Sequence, residues 1–289
     1  MKKFSYWWVY AIGTTFLWGF WGALIEIPEK NGFPATLGYC VWALVMIIPA
    51  YFALRNIDFK LERDKRSVWY GTIIGVLGAG GQLILFHTLV LGPAFLVFPL
   101  ISLSPLVTIL LSLFFLKEKA SKASWFGIVL ALLAIPLLSY QPPESLGYGI
   151  AWIFLSLLVF LAWGVQAYYM KLANHSMKAE SIFFYMALTG ILLIPFALIM
   201  TDFSQEINWG ADGPLLAAGI QLLNAVGALS LVYAFRYGKA IIVSPLANAG
   251  APVITVTLSL LLYAVFPHPV VLVGMILAII AIFLMSVNE

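Results

Sequence analysis

Apolar residues fill this chain in long runs, and the polar segments between the runs are short. A helix needs about 20 mostly apolar residues to cross the roughly 30 Å hydrocarbon layer of a membrane. By that measure the pattern predicts ten membrane-spanning helices, at 6–25, 35–54, 69–91, 94–116, 123–140, 148–170, 181–200, 213–235, 240–262 and 269–287. The remaining segments are too short to hold a separate soluble domain.

The composition agrees with a chain that is solvated by lipid. Hydrophobic types make up 63% of the 289 residues and charged types 9%, whereas a soluble domain carries about 25% charged residues. A water-soluble protein of this composition would expose large apolar patches. The composition therefore excludes a cytosolic enzyme, a nucleic-acid binder and a secreted disulfide scaffold, and it predicts an all-α polytopic membrane protein whose partner is the lipid bilayer.

The basic residues predict the orientation of the helices. If the N-terminus is cytoplasmic, fourteen of the fifteen Lys and Arg residues fall in cytoplasmic segments, and Lys30 alone falls outside. Short loops rich in Lys and Arg stay on the cytoplasmic side. With ten spans, both termini are then predicted to be cytoplasmic, in the cell (inner) membrane. The basic net charge reflects this insertion rule and predicts no nucleic-acid partner.

The two halves of the chain resemble each other at an offset of about 146 residues. Residues 105–113 and 252–260 are identical at five of nine positions, including the first proline, and Trp18-Gly19 corresponds to Trp163-Gly164. The pattern predicts two units, 1–143 and 144–289. Because five spans is an odd number, the second unit must insert upside down. Inverted repeats of this kind are typical of secondary transporters.

Ten spans, a duplicated five-helix unit, short loops and the Leu116-Lys117-Glu118-Lys119 end of the fourth span resemble the EamA-type members of the drug/metabolite transporter superfamily. The resemblance covers essentially the whole chain. It implies transport of a small organic solute, often export, through a central cavity lined by the first, third, fourth, sixth, eighth and ninth spans. One departure is that Val265 stands in the second half where Glu118 stands in the first.

Polar and aromatic residues in those six spans are the candidate solute-binding residues. They are Trp18, Gln82, His87, Ser102, Ser104, Trp163, Gln166, Asn224, Tyr233 and Asn248. A Ser in a membrane helix often serves helix packing instead, and an interior Trp can simply fill space. The four amides are costly to leave unpaired in hydrocarbon, so each is expected to face a cavity or another amide.

Prolines within the spans predict bent helices at Pro99, Pro105, Pro245 and Pro252. Proline removes one donor and frees the carbonyl four residues earlier. Pro105 and Pro252 would thereby free the carbonyls of Ile101 and Asn248, either toward the solute path or in kinks that only aid packing.

Ionisable residues are almost absent from the predicted spans. His87, near the outer end of the third span, and Glu26, at the outer end of the first, are the candidates for proton coupling. A neutral hydrogen-bonded His and a solvated Glu at headgroup level are the alternatives, and facilitated diffusion stays open. No buried carboxylate is expected, and no motif predicts a metal or another cofactor.

These patterns predict a secondary transporter, monomeric or homodimeric. Its solute would be a neutral or zwitterionic metabolite, amino acid or drug-like compound, since no interior Lys or Arg is available to neutralise an anion. Export by alternating access is the main interpretation. Nutrient uptake or facilitated diffusion of a sugar, nucleoside or amino acid is the alternative, and a non-transporting scaffold or sensor is a remote one. An intramembrane enzyme is not expected, because neither His-Glu-x-x-His nor Gly-x-Ser-x-Gly occurs.

Overall fold

The computed structural model describes residues 6–91, 97, 100–138, 140, 150–263 and 268–287. The described residues form apolar helices joined by short loops, and no strand occurs among them. The helices are α1 (Trp7–Leu24, continued by Glu26–Lys30), α2 (Ala35–Val45 and Ile47–Arg55), α3 (Lys65–Gly75, Val76–Gly80 and Gly81–Leu91), α4 (Leu100–Leu116), α5 (Lys122–Leu138), α6 (Ala151–Ala173), α7 (Ala179–Leu192 and Ile194–Ile199), α8 (Ala211–Leu215 and Leu216–Tyr237), α9 (Ala240–Tyr263) and α10 (Pro269–Val287).

Among the described residues, each predicted span overlaps one of these helices; residues 94–96, 98 and 99 of the fourth span lie outside the described residues. The helices α1, α2, α3, α6, α7 and α8 are long and apolar enough to cross a membrane, and α4, α5, α9 and α10 contain shorter apolar stretches. The chain is thus an all-helical polytopic membrane protein. Ten crossings, two inverted units and cytoplasmic termini stay predictions.

Side chains that face away from the bundle are largely apolar. Exposed examples include Phe114, Phe126, Phe154, Ile199 and Phe283. Apolar surface of this extent is stable against lipid and not against water. The interior is filled by large buried residues such as Met46, Phe183 and Phe235.

Prolines break some helices and not others. α2 is interrupted at Met46 and α7 at Leu193, just before Pro49 and Pro195, because a proline ring clashes with the preceding turn. Neither break was predicted. By contrast, Pro245 and Pro252 lie inside the uninterrupted helix α9, and Pro99 lies outside the described residues.

Pro105 begins a helical segment of α4 after a turn at Leu103 and Ser104. The prediction of a free carbonyl at Ile101 is wrong, because the Ser104 backbone N–H donates to it at 2.9 Å. The turn tightens so that a closer N–H replaces the one that proline lacks.

Each of two packing groups combines helices from both halves of the chain. α6 packs along α3 and α4, whereas α1 packs along α8 and α9. These are called the α3–α4–α6 group and the α1–α8–α9 group. Around them, α7 packs on α3, α2 packs on α8, and α5 packs on α10 and α9.

Candidate solute-binding site

Two helix crossings in the interior share one hydrogen-bond pattern. In the α1–α8–α9 group, Thr255 Oγ1 of α9 donates to the carbonyl of Gly19 in α1 at 3.0 Å. In the α3–α4–α6 group, Thr108 Oγ1 of α4 donates to the carbonyl of Gly164 in α6 at 3.0 Å. These residues correspond in the two halves of the sequence, so the same crossing occurs twice.

Both crossings depend on the absence of a side chain. A Cβ atom on Gly19 would lie 2.5 Å from Cβ of Ile254, and one on Gly164 would lie 2.5 Å from Cβ of Val107. Carbon atoms in favourable contact are about 3.5–4.0 Å apart. The glycines therefore let the helix backbones approach closely enough for the threonines to reach the opposite carbonyls.

The indoles of Trp18 and Trp163 also make equivalent contacts. Nε1 of Trp18 donates to the carbonyl of Asn224 at 3.4 Å, and Nε1 of Trp163 donates to the carbonyl of Gly78 at 3.4 Å. Each ring lies directly against a glycine one turn further along the contacted helix, Gly227 for Trp18 and Gly81 for Trp163. Both indoles are half-buried, so each presents part of a flat apolar wall next to its crossing.

The amides differ between the two groups. In the α1–α8–α9 group, Oδ1 of Asn224 accepts from Nε1 of Trp42 at 3.2 Å, and Oε1 of Gln221 accepts from Nε1 of Trp21 at 3.0 Å. These carbonyl oxygens are thus bonded within the protein. Neither tryptophan partner was predicted, because both lie on other helices.

In the α3–α4–α6 group the amides are available. Gly78 stands at the position that corresponds to Asn224, and the amide of Gln166 lies directly against it. Gln82 lies one turn further along α3. Both glutamines are half-buried, and neither makes a hydrogen bond to any described residue. The segment Val76–Gly80 beside them is a π-helix, a feature that often marks functional sites.

A polar connection between α4 and α9 joins the two groups. Oγ of Ser244 donates to Oγ1 of Thr108 at 3.4 Å, and Nδ2 of Asn248 donates to the carbonyl of Ser244 at 3.0 Å. Ser104 is buried in the turn that precedes Pro105, and Ser102 is half-buried. The candidates on these two helices are therefore placed next to the crossings.

Three sequence candidates lie apart from the indoles and amides. His87 is exposed near the end of α3. Glu26 is exposed and forms a 2.8 Å ion pair with Lys30. The hydroxyl of Tyr233 donates to Oε1 of Glu180 at 2.7 Å, in the part of the bundle where α7 begins and α8 ends.

One carboxylate is buried outside the predicted spans, to which the expectation of no buried carboxylate applied. The side chain of Glu118, in the loop after α4, is only 9% exposed. It is buried because α6 and α9 cover that loop, which the local sequence does not reveal. Among the described residues, no group of three or more His, Cys, Asp or Glu side chains could hold a metal ion.

Comparison with known proteins gives two partial sequence relatives and a common fold. The chain is 32% identical over 130 residues to the uncharacterised protein MJ1333.1 of Methanocaldococcus jannaschii, a match that covers 45% of this chain and 88% of that one. It is 29% identical over 141 residues to LicB of Haemophilus influenzae, covering 47% of each chain. The chain thus matches about half of LicB.

A crystal structure of another protein superposes with a TM-score of 0.78 at 17% identity, covering 96% of this chain and 95% of the other, which shows a shared fold. The model of the EamA-like transporter family matches twice, over residues 5–140 and 150–287. These two matches span nearly the whole chain, so the resemblance drawn from the sequence is confirmed. The chain is a multi-pass membrane protein that belongs to the EamA-like transporter family.

Proposed function

We propose that this transporter exports a neutral or zwitterionic small organic solute across the cytoplasmic membrane by alternating access. The observation that carries the proposal is the pair of glutamines, Gln82 and Gln166, which are half-buried without a hydrogen-bonding partner among the described residues. An unpaired amide in a membrane interior is costly. Both side chains can donate and accept, so they suit a solute with hydroxyl, amide or paired charged groups.

The surroundings support the same solute class. Trp163 offers an apolar face beside the glutamines, and Trp18 does so at the equivalent crossing. The central parts of α1, α3, α4, α6, α8 and α9 carry no Lys, Arg, Asp or Glu. A strongly anionic solute would need a cationic partner there. We assign the binding cavity to Trp18, Gln82, Ser102, Ser104, Trp163, Gln166, Asn224 and Asn248.

In this proposal the transporter consists of two inverted five-helix units, 1–143 and 144–289, with ten spans and both termini cytoplasmic. The repeated Thr–Gly crossings and the repeated Trp contacts support two related units. The relative MJ1333.1 matches over 88% of its own length with 45% of this chain, so it is about as long as one unit. Two related halves can open alternately to either side of a central site.

The test is transport by the purified protein in liposomes, screened with separate radiolabelled pools of neutral, zwitterionic and anionic metabolites, with and without a pH gradient. We expect a neutral or zwitterionic pool to accumulate. For the active pool, Gln82→Ala and Gln166→Ala should each raise KM at least tenfold, whereas Gln205→Ala, an exposed loop glutamine bonded to Asp202, should leave it unchanged. Uptake confined to anionic solutes, or a KM unaffected by both interior substitutions, would contradict the assignment.

A further inference from the structure

A buried pair of opposite charges lies where α6 ends. Lys171 is in the last turn of α6, and Glu118 is in the loop between α4 and α5. Their side chains are 11% and 9% exposed, and Lys171 Nζ is 4.0 Å from Glu118 Oε1. Charged side chains are almost never buried unless they have partners. Because 4.0 Å is too long for a hydrogen bond between the two charges, other groups must supply their hydrogen bonds.

Those contacts are backbone groups at the turn between α8 and α9. Lys171 Nζ donates to the carbonyls of Phe235 at 3.0 Å and Gly238 at 2.6 Å, at the end of α8. Glu118 Oε2 accepts from the N–H of Ile241 at 3.1 Å, at the start of α9. Helix ends leave carbonyls and N–H groups unpaired. A cation at a C-terminus and an anion at an N-terminus also match the helix dipoles.

The same contacts join the two packing groups. Glu118 and Lys171 belong to the α3–α4–α6 group, and the turn that they bind belongs to the α1–α8–α9 group. Three further hydrogen bonds cross at this place. Asn174 Nδ2 donates to the carbonyl of Val232 and Arg236 Nη1 to the carbonyl of Met177, both at 3.1 Å, and Lys239 Nζ donates to the carbonyl of Lys119 at 2.8 Å. Parting the groups at this end would leave both charges without their backbone partners in the turn between α8 and α9.

The other half of the sequence lacks the residue types for an equivalent pair. At the repeat offset, Glu26 corresponds to Lys171, and Val265 corresponds to Glu118. A carboxylate cannot donate to the carbonyls at a helix C-terminus, and valine cannot accept from an N–H. The two ends of a duplicated carrier would otherwise have similar closing energies, so this difference favours one of them.

We propose that the Glu118–Lys171 pair positions the turn between α8 and α9 and holds this end of the carrier closed. The pair thereby shifts the resting equilibrium toward the state that is open at the opposite end. This inference rests on the alternating access of the proposed function. Glu118 and Lys171 act through the helix ends that they bind and do not contact solute.

The test measures how often this end opens, without any solute. In a Cys40→Ala background, Ser244→Cys places a thiol on α9 at a buried position whose native hydroxyl bonds Thr108 of α4, in the other packing group. Because this position lies between the groups, its rate of modification by N-ethylmaleimide reports the open fraction. In Lys171→Met and, separately, in Glu118→Gln, we expect the rate at position 244 to rise at least tenfold, equivalent to about 1.4 kcal/mol in the equilibrium.

Two controls separate opening from loss of the fold. Met46→Cys places a thiol at a buried position on α2, and its rate should not change in either variant. Lys122→Met removes a positive charge from the start of α5, close in the chain to Glu118, where Lys122 is exposed, and it should leave the rate at position 244 unchanged.

Equal increases at positions 46 and 244 would show that the pair only supports the fold. No increase at position 244 in either variant would show that the pair does not hold this end closed. Either result overturns the inference. Since the assay uses no solute, failure to find a transported compound would count against the proposed function and not against this pair.

Discussion

Adding one methyl group at the two repeated crossings should destabilise the protein by a similar amount at each. In Gly19→Ala the new Cβ would lie 2.5 Å from Cβ of Ile254 and 3.0 Å from the Ala251 carbonyl oxygen. In Gly164→Ala it would lie 2.5 Å from Cβ of Val107. Both distances between carbon atoms are at least about 1 Å below a favourable separation, and each obstacle is backbone or a Cβ atom, which cannot rotate away.

The expected size follows from two opposing effects. Inserting an extra methyl group into a well-packed core costs about 1–3 kcal/mol. Replacing glycine by alanine within a helix returns about 0.5–1 kcal/mol. Separating the helices would also stretch the 3.0 Å bonds that Thr255 and Thr108 donate across the crossings. We therefore expect each variant to lose about 1–2 kcal/mol in its free energy of unfolding.

The assay is reversible unfolding in mixed micelles, with Gly219→Ala as the matched control. Gly219 also lies within a helix, but no heavy atom lies within 4 Å of a Cβ built there, so this variant should be unchanged or up to about 1 kcal/mol more stable. If Gly19→Ala and Gly164→Ala behave like Gly219→Ala, the close approach of the backbones is not what stabilises the crossings. A loss at only one of them would refute their equivalence.

Two further predictions concern single side chains. Trp42→Phe keeps a ring but removes the N–H group that donates to Asn224 Oδ1, so the free energy of unfolding should fall by about 0.6–1.7 kcal/mol. In an Asn224→Leu background the same substitution should lower the free energy of unfolding by less. An equal loss in both backgrounds would contradict the pairing of Trp42 with Asn224. Burial and the charge of Lys171 lower the pKa of His175 from its ordinary 6.5, so the folded state binds fewer protons than the unfolded state. The contribution of His175 to stability is therefore present above pH 6.5 and lost as the pH falls toward the lower folded pKa. Measured from pH 7.5 to 5, the free energy of unfolding should depend less steeply on pH in His175→Gln than in the unmodified protein. Identical slopes would contradict the lowered pKa.

The positions of the helices were predictable from the sequence because lipid imposes a simple rule. Every backbone group within the hydrocarbon must be bonded internally, so apolar runs of sufficient length form helices. Residues 181–200, for example, were predicted as a span, and all but the last of them belong to α7, which runs from Ala179 to Ile199 apart from its break at Leu193. The helix starts differ by a few residues where local caps decide them. Asp64 accepts from the N–H groups of Arg66 and Ser67 and starts α3 four residues before the predicted position.

The environments of the polar residues were less predictable, because they depend on which helices meet. The sequence marks Asn224 and Gln166 alike as costly interior amides. The structure gives Asn224 an indole partner from α2 and leaves Gln166 against Gly78 without one. Likewise, Glu118 has charged neighbours in its own loop, yet its side chain is buried against α6 and α9. Contacts between distant segments decided each outcome.

The two halves of the chain share the residues that set the helix crossings and differ in the polar groups beside them. Residues that set the helix crossings, such as Gly19 and Gly164, keep the same type and the same contact in both halves. Where the halves differ in residue type, they differ in available chemistry: the amide of Asn224 is bonded within the protein, whereas Gly78 leaves room for the amide of Gln166. A solute bound between the groups would therefore form its hydrogen bonds mainly with α3 and α6. That asymmetry would orient such a solute relative to the membrane, because the two related surfaces offer it different partners.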